Sequence, residues 1–182
     1  MLALLHNTTR NLEERKIPHA LIGAGAMAAH GVVRATDDLD LLVVDRSTLD
    51  PASWEPMRRQ GVDIDVRRGD YSDPLAGVVR LTAPGAESVD VVVGRSPWMA
   101  PLLERATKKD VAGVAKRIAT VPDLILLKLY AGAARDLYDI HELLALEQRQ
   151  AIQAAVDREI SKLPRDAREE WHKITRGRGH HR

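Results

Sequence analysis

The segment Arg34-Ala35-Thr36-Asp37-Asp38-Leu39-Asp40 runs straight into the apolar stretch Leu41-Leu42-Val43-Val44. Alternate residues of a strand point to one face, so Asp38 and Asp40 project together while Leu39 projects the other way. Two carboxylates aimed at one point repel unless a cation lies between them. A hard divalent cation such as Mg2+ takes a few carboxylate oxygens and leaves its other positions to water and phosphate. A D-x-D at the mouth of a strand therefore points to metal-assisted phosphoryl or nucleotidyl chemistry. A solvated strand start is the plainer alternative, and the surrounding sequence weighs between the two.

The chain has 182 residues, 27 Lys and Arg against 26 Asp and Glu, and no cysteine. Disulfides and thiolate zinc sites are excluded, and a formal charge of +1 gives no global basic field for nucleic acid. No run approaches the roughly 18 apolar residues of a membrane span. The apolar start Met1–Leu5 lacks the basic flank and the length of a secretory leader, so the default expectation is a cytoplasmic protein. Phe is absent and aromatic residues make up 3%, which leaves the core to Leu, Val, Ile and Ala.

Up to about residue 119, helical and strand-like segments alternate. The patterning predicts a helix over 2–15, a short strand over 20–22, a small-residue helix to Ala29 and a strand over 39–44. Asp50-Pro51 reads as an N-cap with a first-turn proline, opening a helix to about Arg59 that Gly61 stops. Strands are predicted over 62–67, 78–81 and 89–93. Pro97 opens a short helix, and 111–118 reads as extended with a turn at Gly113. From Thr120 to about Lys173 the chain reads as helix almost throughout, broken at Gly132. This predicts a mixed-sheet core over 1–119, a helical part over 120–173 and a disordered basic tail over 174–182.

Gly23-Ala24-Gly25-Ala26-Met27-Ala28 follows a strand and opens a helix. It matches the G-x-G-x-x-A dinucleotide fingerprint, and Asp45 ends the next strand about 20 residues on, where a ribose-binding acid belongs. A Rossmann-type dinucleotide-binding module is thus one reading. Against it stand the short helix before Gly31, the Asp37-Asp38-Asp40 cluster and the early switch to helix. The same turn offers backbone N–H groups to a phosphate, beside the two carboxylates of the next strand. Asp90 lies in a valine-rich strand, where a lone carboxylate is costly to bury unless a metal or partner compensates it. Asp63 and Asp65 form a second alternating pair, with Asp65 the reserve candidate.

Taken together, Ile22-Gly23-Ala24, His30-Gly31, Arg34, Thr36, Asp38, Asp40 and the strand Leu41–Val44 resemble the nucleotidyltransferase superfamily related to DNA polymerase beta. The branch they most resemble is the AbiEii/AbiGii toxin-type and minimal nucleotidyltransferase group. Asp90, Lys128 and the segment Arg135-Asp136-Leu137-Tyr138-Asp139 match its third carboxylate, helical lysine and later R-D-x-x-D-like segment. The resemblance implies an α+β fold, a nucleotidyltransferase-like mixed sheet flanked by helices and followed by a helical part. It implies transfer of a nucleoside monophosphate from ATP or another NTP to an acceptor hydroxyl on tRNA, another RNA or a protein. Two Mg2+ ions would be held by Asp38, Asp40 and Asp90. Asp38, Asp40, Asp90, Lys128 and Asp136 would be catalytic, and Gly23, Ala24, Arg34, Thr36 and Lys128 would bind nucleotide. Asp136 and Asp139 could orient Lys128 or Arg135, act on substrate, or form helix-surface ion pairs. An antitoxin protein would be a partner. The family usually has Gly or Ser where this chain has Ala24, which leaves phosphate binding there to backbone N–H groups. An inactive relative that binds a partner or nucleotide, and a small-molecule (antibiotic) nucleotidyltransferase, are the remaining alternatives.

Overall fold

The computed structural model describes residues 2–111 and 113–176. The chain divides into two compact units, one ending at Ala119 and the other beginning at Thr120. No helix among the described residues is long and apolar enough to cross a membrane.

The first unit begins with α1 (Ala3–Glu14), which buries Leu4, Leu5 and Leu12. There follow β1 (Ala20–Ile22), α2 (Gly23–Ala29), β2 (Asp38–Val43), α3 (Glu55–Arg58), β3 (Asp63–Arg68), β4 (Leu75–Thr82), β5 (Ser88–Gly94), α4 (Met99–Arg105), β6 (Thr107–Val111) and β7 (Val114–Ile118). All seven strands join one sheet in the order β3-β4-β5-β2-β1-β7-β6. The β2–β5 and β1–β7 pairs are parallel and the others antiparallel.

This topology overturns the dinucleotide reading. A Rossmann crossover returns the second strand parallel to the first, whereas β1 and β2 run antiparallel, with Ala20 opposite Leu42 and Ile22 opposite Asp40. Asp45 is also spent locally. Its carboxylate accepts the Ser47 backbone N–H at 2.8 Å and caps a 3-10 turn over Arg46–Leu49.

Two elements differ from their sequence patterns for identifiable reasons. The helix expected from Asp50 starts as predicted, with the Asp50 carboxylate accepting from the Ala52 N–H at 3.0 Å. It opens as a 3-10 turn over Pro51–Trp54 and restarts as α3, because Pro56 has no N–H to continue the ladder. The extended segment at 111–118 is the second arm of a hairpin whose first arm is β6. The residues of β6, Thr107-Lys108-Lys109-Asp110-Val111, lack apolar alternation because it is an edge strand, where charge is common.

Strand alternation gives the sheet two unlike faces around β2. Leu39, Leu41 and Val43 of β2, Val89, Val91 and Val93 of β5, and Val79 and Leu81 of β4 are all buried. The interleaved residues Asp38, Asp40, Ser88, Asp90, Val78, Arg80 and Thr82 are only partly covered. Leu42 on this second face is fully buried, so polar groups gather at the Asp38 end of β2 while packing continues at its other end.

The short helix α2 is tied to the hairpin by His30. Its Nε2 donates to the Ala119 carbonyl at 2.9 Å, and its Nδ1 lies 3.0 Å from the Lys109 Nζ, which also donates to the Ala29 carbonyl at 3.2 Å. With an ammonium facing Nδ1, the imidazole must be neutral. Burial holds its pKa below the usual histidine value, opposed by the Ala119 carbonyl and reinforced by Lys109. His19 is lowered by burial too.

The second unit is helical: α5 (Val121–Ala131), α6 (Ala134–Ala145), α7 (Arg149–Glu159) and α8 (Arg165–Arg176). Thr120 caps α5, its hydroxyl facing the Asp123 N–H. Leu124, Ile125, Leu126 and Leu129 of α5 form a core with Ile140, Leu143, Leu144, Val156 and Trp171. Trp171 Nε1 donates to Asp157 at 2.7 Å, closing α8 onto α7. Helix α8 continues three residues past the expected boundary at Lys173, and the rest of the basic tail lies outside the described residues.

A stability test follows from the two lowered histidines. Below the unfolded imidazole value of about 6.5 the unfolded chain binds more protons than the folded one, so stability falls as the pH drops through that value. Urea midpoints should decrease between about pH 7.5 and about pH 5.5, and the decrease should shrink in His30→Gln.

Candidate active site

Asp38 and Asp40 open β2, and β5 lies parallel beside it with Ser88 opposite Asp38 and Asp90 opposite Asp40. The carboxylates of Asp38, Asp40 and Asp90 therefore rise from one sheet face on adjacent strands. Thr36 sets the entry to β2: its hydroxyl donates to the Asp38 carbonyl at 2.9 Å and accepts the Asp38 N–H at 3.3 Å. Ser88 donates its hydroxyl to Asp38 Oδ1 in a short hydrogen bond.

Arg80 of β4 completes the cluster. Its Nε donates to Asp90 Oδ1 at 2.8 Å and its Nη2 to Asp90 Oδ2 at 2.7 Å. The same Nη2 lies 3.3 Å from Asp38 Oδ2. This bidentate fork is the strong form of an arginine–carboxylate pair, and together with Asp38 it raises the guanidinium pKa well above its ordinary value. Arg80 is the partner that compensates the partly covered Asp90.

The glycine turn fits against these acids. Gly23 has φ +60, a left-handed conformation, and a Cβ built on it would overlap the Asp40 carboxylate. Both the backbone and the close approach thus demand glycine here. Ala24 is 1% exposed, so it belongs to the packing beneath the turn. Arg34 is half-buried in the loop before Thr36.

The reserve candidates lie further along the sheet. Asp63 and Asp65 are on the edge strand β3, exposed, and Asp65 accepts from Arg67 Nε at 2.8 Å. Asp90, and not Asp65, is the residue opposite Asp40.

In the second unit, Lys128 projects from α5 toward the first turns of α6. Its Nζ lies 2.5 Å from Asp139 Oδ2 and 3.2 Å from Asp136 Oδ1, with all three side chains nearly buried at 9%, 3% and 12% exposure. The other Asp136 oxygen accepts the Ala133 N–H at 3.0 Å and so caps α6. Asp136 and Asp139 thus both face the Lys128 ammonium.

The donor chemistry fits a divalent cation in part. Mg2+ is ordinarily held by one or two carboxylates plus substrate phosphates, and Asp38 with Asp40 meets that need. Among the described residues no three acidic or imidazole groups gather closely enough to hold a metal by themselves. Asp90, expected as the third ligand, is in the grip of Arg80.

No family model matches the sequence, and no curated protein matches it. Solved structures do. The solution structure of the antibiotic-resistance factor ANT(2'')-Ia matches over 99% of this chain and 97% of its own, at 14% identity and a TM-score of 0.55. The crystal structure of ANT(2'')-Ia with adenylyl-2''-tobramycin matches over 88% and 97%, at 14% identity and 0.57. A Thermotoga maritima protein provisionally described as a nucleotidyltransferase matches over 79% and 91%, at 11% identity and 0.53. The chain has the nucleotidyltransferase fold.

Within this fold, sequence reading located the carboxylates and missed Arg80 and Ser88. A signal for Arg80 existed. Pro84-Gly85 marks a hairpin turn, and Arg80 and Asp90 are equidistant from Gly85, the register the hairpin adopts.

Two substitutions test these contacts. Gly23→Ala should cost about 1–2 kcal/mol for the left-handed backbone alone, read as a lower urea midpoint. Lys128→Ala leaves the nearly buried Asp136 and Asp139 without their cation and should lower unfolding stability by about 3 kcal/mol, read by urea denaturation.

Proposed function

We propose that the chain is a Mg2+-dependent nucleotidyltransferase that moves a nucleoside monophosphate from ATP or another NTP to an acceptor hydroxyl, releasing pyrophosphate. The observation that carries this reading is the parallel pairing of β2 with β5, which sets Asp40 opposite Asp90 on the partly open face of the sheet. Asp38 and Asp40 would hold the metal, which when bound would neutralise the triphosphate and acidify the attacking hydroxyl. Gly23 would offer its backbone N–H to the triphosphate, with Arg34 and Thr36 flanking it.

For the acceptor we propose an RNA hydroxyl, with a protein hydroxyl as the alternative. A cavity of about 450 Å³ is lined by Arg67, Arg68 and Arg80 together with Asp73 and Asp90. Guanidinium groups suit phosphate-bearing ligands. The sequence resemblance adds a biological setting, an AbiEii-type toxin neutralised by an antitoxin protein. A second reading, an inactive nucleotide-binding relative, is favoured by the hold of Arg80 on Asp90.

The test is transfer of label from each α-labelled NTP to total tRNA with Mg2+. Wild type should label RNA, and Asp38→Asn or Asp40→Asn should reduce the rate by about a hundredfold or more. Undiminished labelling by these variants would refute the metal assignment. Nucleotide binding with no transfer to RNA, protein or aminoglycoside would establish the inactive reading instead.

A further inference from the structure

The position of Arg80 is unusual for a purely structural residue. One nitrogen, Nη2, serves Asp90 at 2.7 Å and Asp38 at 3.3 Å. It therefore lies between two carboxylates of adjacent strands, where a cation bridging them would have to sit. An ammonium-like nitrogen and a metal ion cannot share that space.

We propose that Arg80 is a resident counter-ion that closes Asp90 to metal until a nucleoside triphosphate draws the guanidinium away. Metal and nucleotide binding are then coupled through this one side chain. The inference rests on the metal–nucleotide reading above. Three features support exchange. The Arg80 side chain is 40% exposed, so it is not locked by packing. The adjoining cavity, which Arg80 itself lines, gives the guanidinium room to turn. And phosphate oxygens match the arginine fork as well as a carboxylate does, so a triphosphate can take over both bonds that Asp90 gives up. Removal of Arg80 from Asp38 and Asp90 restores their mutual repulsion, which a divalent cation then relieves. Each ligand thereby favours the other, and the coupling is reciprocal.

Mn2+ provides the readout, followed as free ion by electron paramagnetic resonance on the intact chain. Wild type, Arg80→Gln and Arg80→Lys are titrated alone and with a non-hydrolysable ATP analogue, and the analogue's own Mn2+ binding is subtracted. Arg80→Gln should bind Mn2+ alone about tenfold more tightly than wild type, since a nearby positive charge is gone. The enhancement of Mn2+ binding by nucleotide should shrink, and the analogue itself should bind more weakly. Arg80→Lys keeps the charge and loses the fork, so it should fall between the two. A folded Arg80→Gln with wild-type Mn2+ affinity and undiminished coupling would overturn the proposal and leave Arg80 as a cross-strand strut. If Arg80→Gln does not fold, Arg80→Lys decides: affinity for Mn2+ alone unchanged from wild type overturns it. Asp38→Asn/Asp40→Asn separates the two levels. If that variant binds Mn2+ and nucleotide as wild type does, the underlying metal assignment fails whatever Arg80 does.

Discussion

Carboxylates set side by side on one face of a sheet repel one another, and the arrangement of β2, β4 and β5 manages that repulsion. The parallel β2–β5 pairing brings Asp40 and Asp90 into register, and the antiparallel β4–β5 pairing sets Arg80 against Asp90. A single guanidinium then reaches two acids on different strands. The opposite face is Leu and Val, so the hydrophobic energy that holds these strands together is independent of the charges. Such a sheet can keep an electrostatically costly surface without losing its fold.

The elements around this face restrict where the acids can go. Gly23 lets the chain turn directly against Asp40, and a single added carbon would occupy the space of that carboxylate. Helix α2 has seven residues, too few to be stable by itself. Its C-terminal end is anchored by His30 to the Ala119 carbonyl and by Lys109 to the Ala29 carbonyl. A neutral imidazole between a carbonyl acceptor and an ammonium donor holds the turn in place, and with it the backbone facing Asp40.

Local patterns were readable and long-range register was not. The alternation of Asp38-Leu39-Asp40 shows a shared face without any knowledge of the partner strand, because period two is a property of one strand. The N-caps at Asp50 and Thr120 and the breaks at Gly61 and Gly132 are likewise local chemistry. The edge strand β6 escaped because its charges conceal any alternation. Arg80 escaped because its role exists only once β4 folds back on β5, even though Gly85 marks the centre of that hairpin. The fingerprint at Gly23 misled in the opposite direction: small residues at a strand–helix turn suit close packing in several folds, and only the antiparallel return of β2 distinguishes them.

The two basic residues that bind pairs of acids do so under different physical terms. Lys128 is nearly dry, and so are Asp136 and Asp139. Removing Lys128 would strand two carboxylates in a medium that solvates them poorly, so that cluster is fixed and its geometry is a property of the fold. Arg80 holds Asp90 through two parallel hydrogen bonds, at 2.8 and 2.7 Å, yet it remains 40% exposed, with Asp38 at 41% and Asp90 at 15%. Water reaches the guanidinium and Asp38 as these bonds break, which lowers the net cost of parting them despite the good geometry. Strong local contacts with a low net cost of exchange are what a side chain needs if it is to guard a carboxylate and then release it. The nearly buried lysine is held between its two acids, whereas the arginine keeps one side open to solvent.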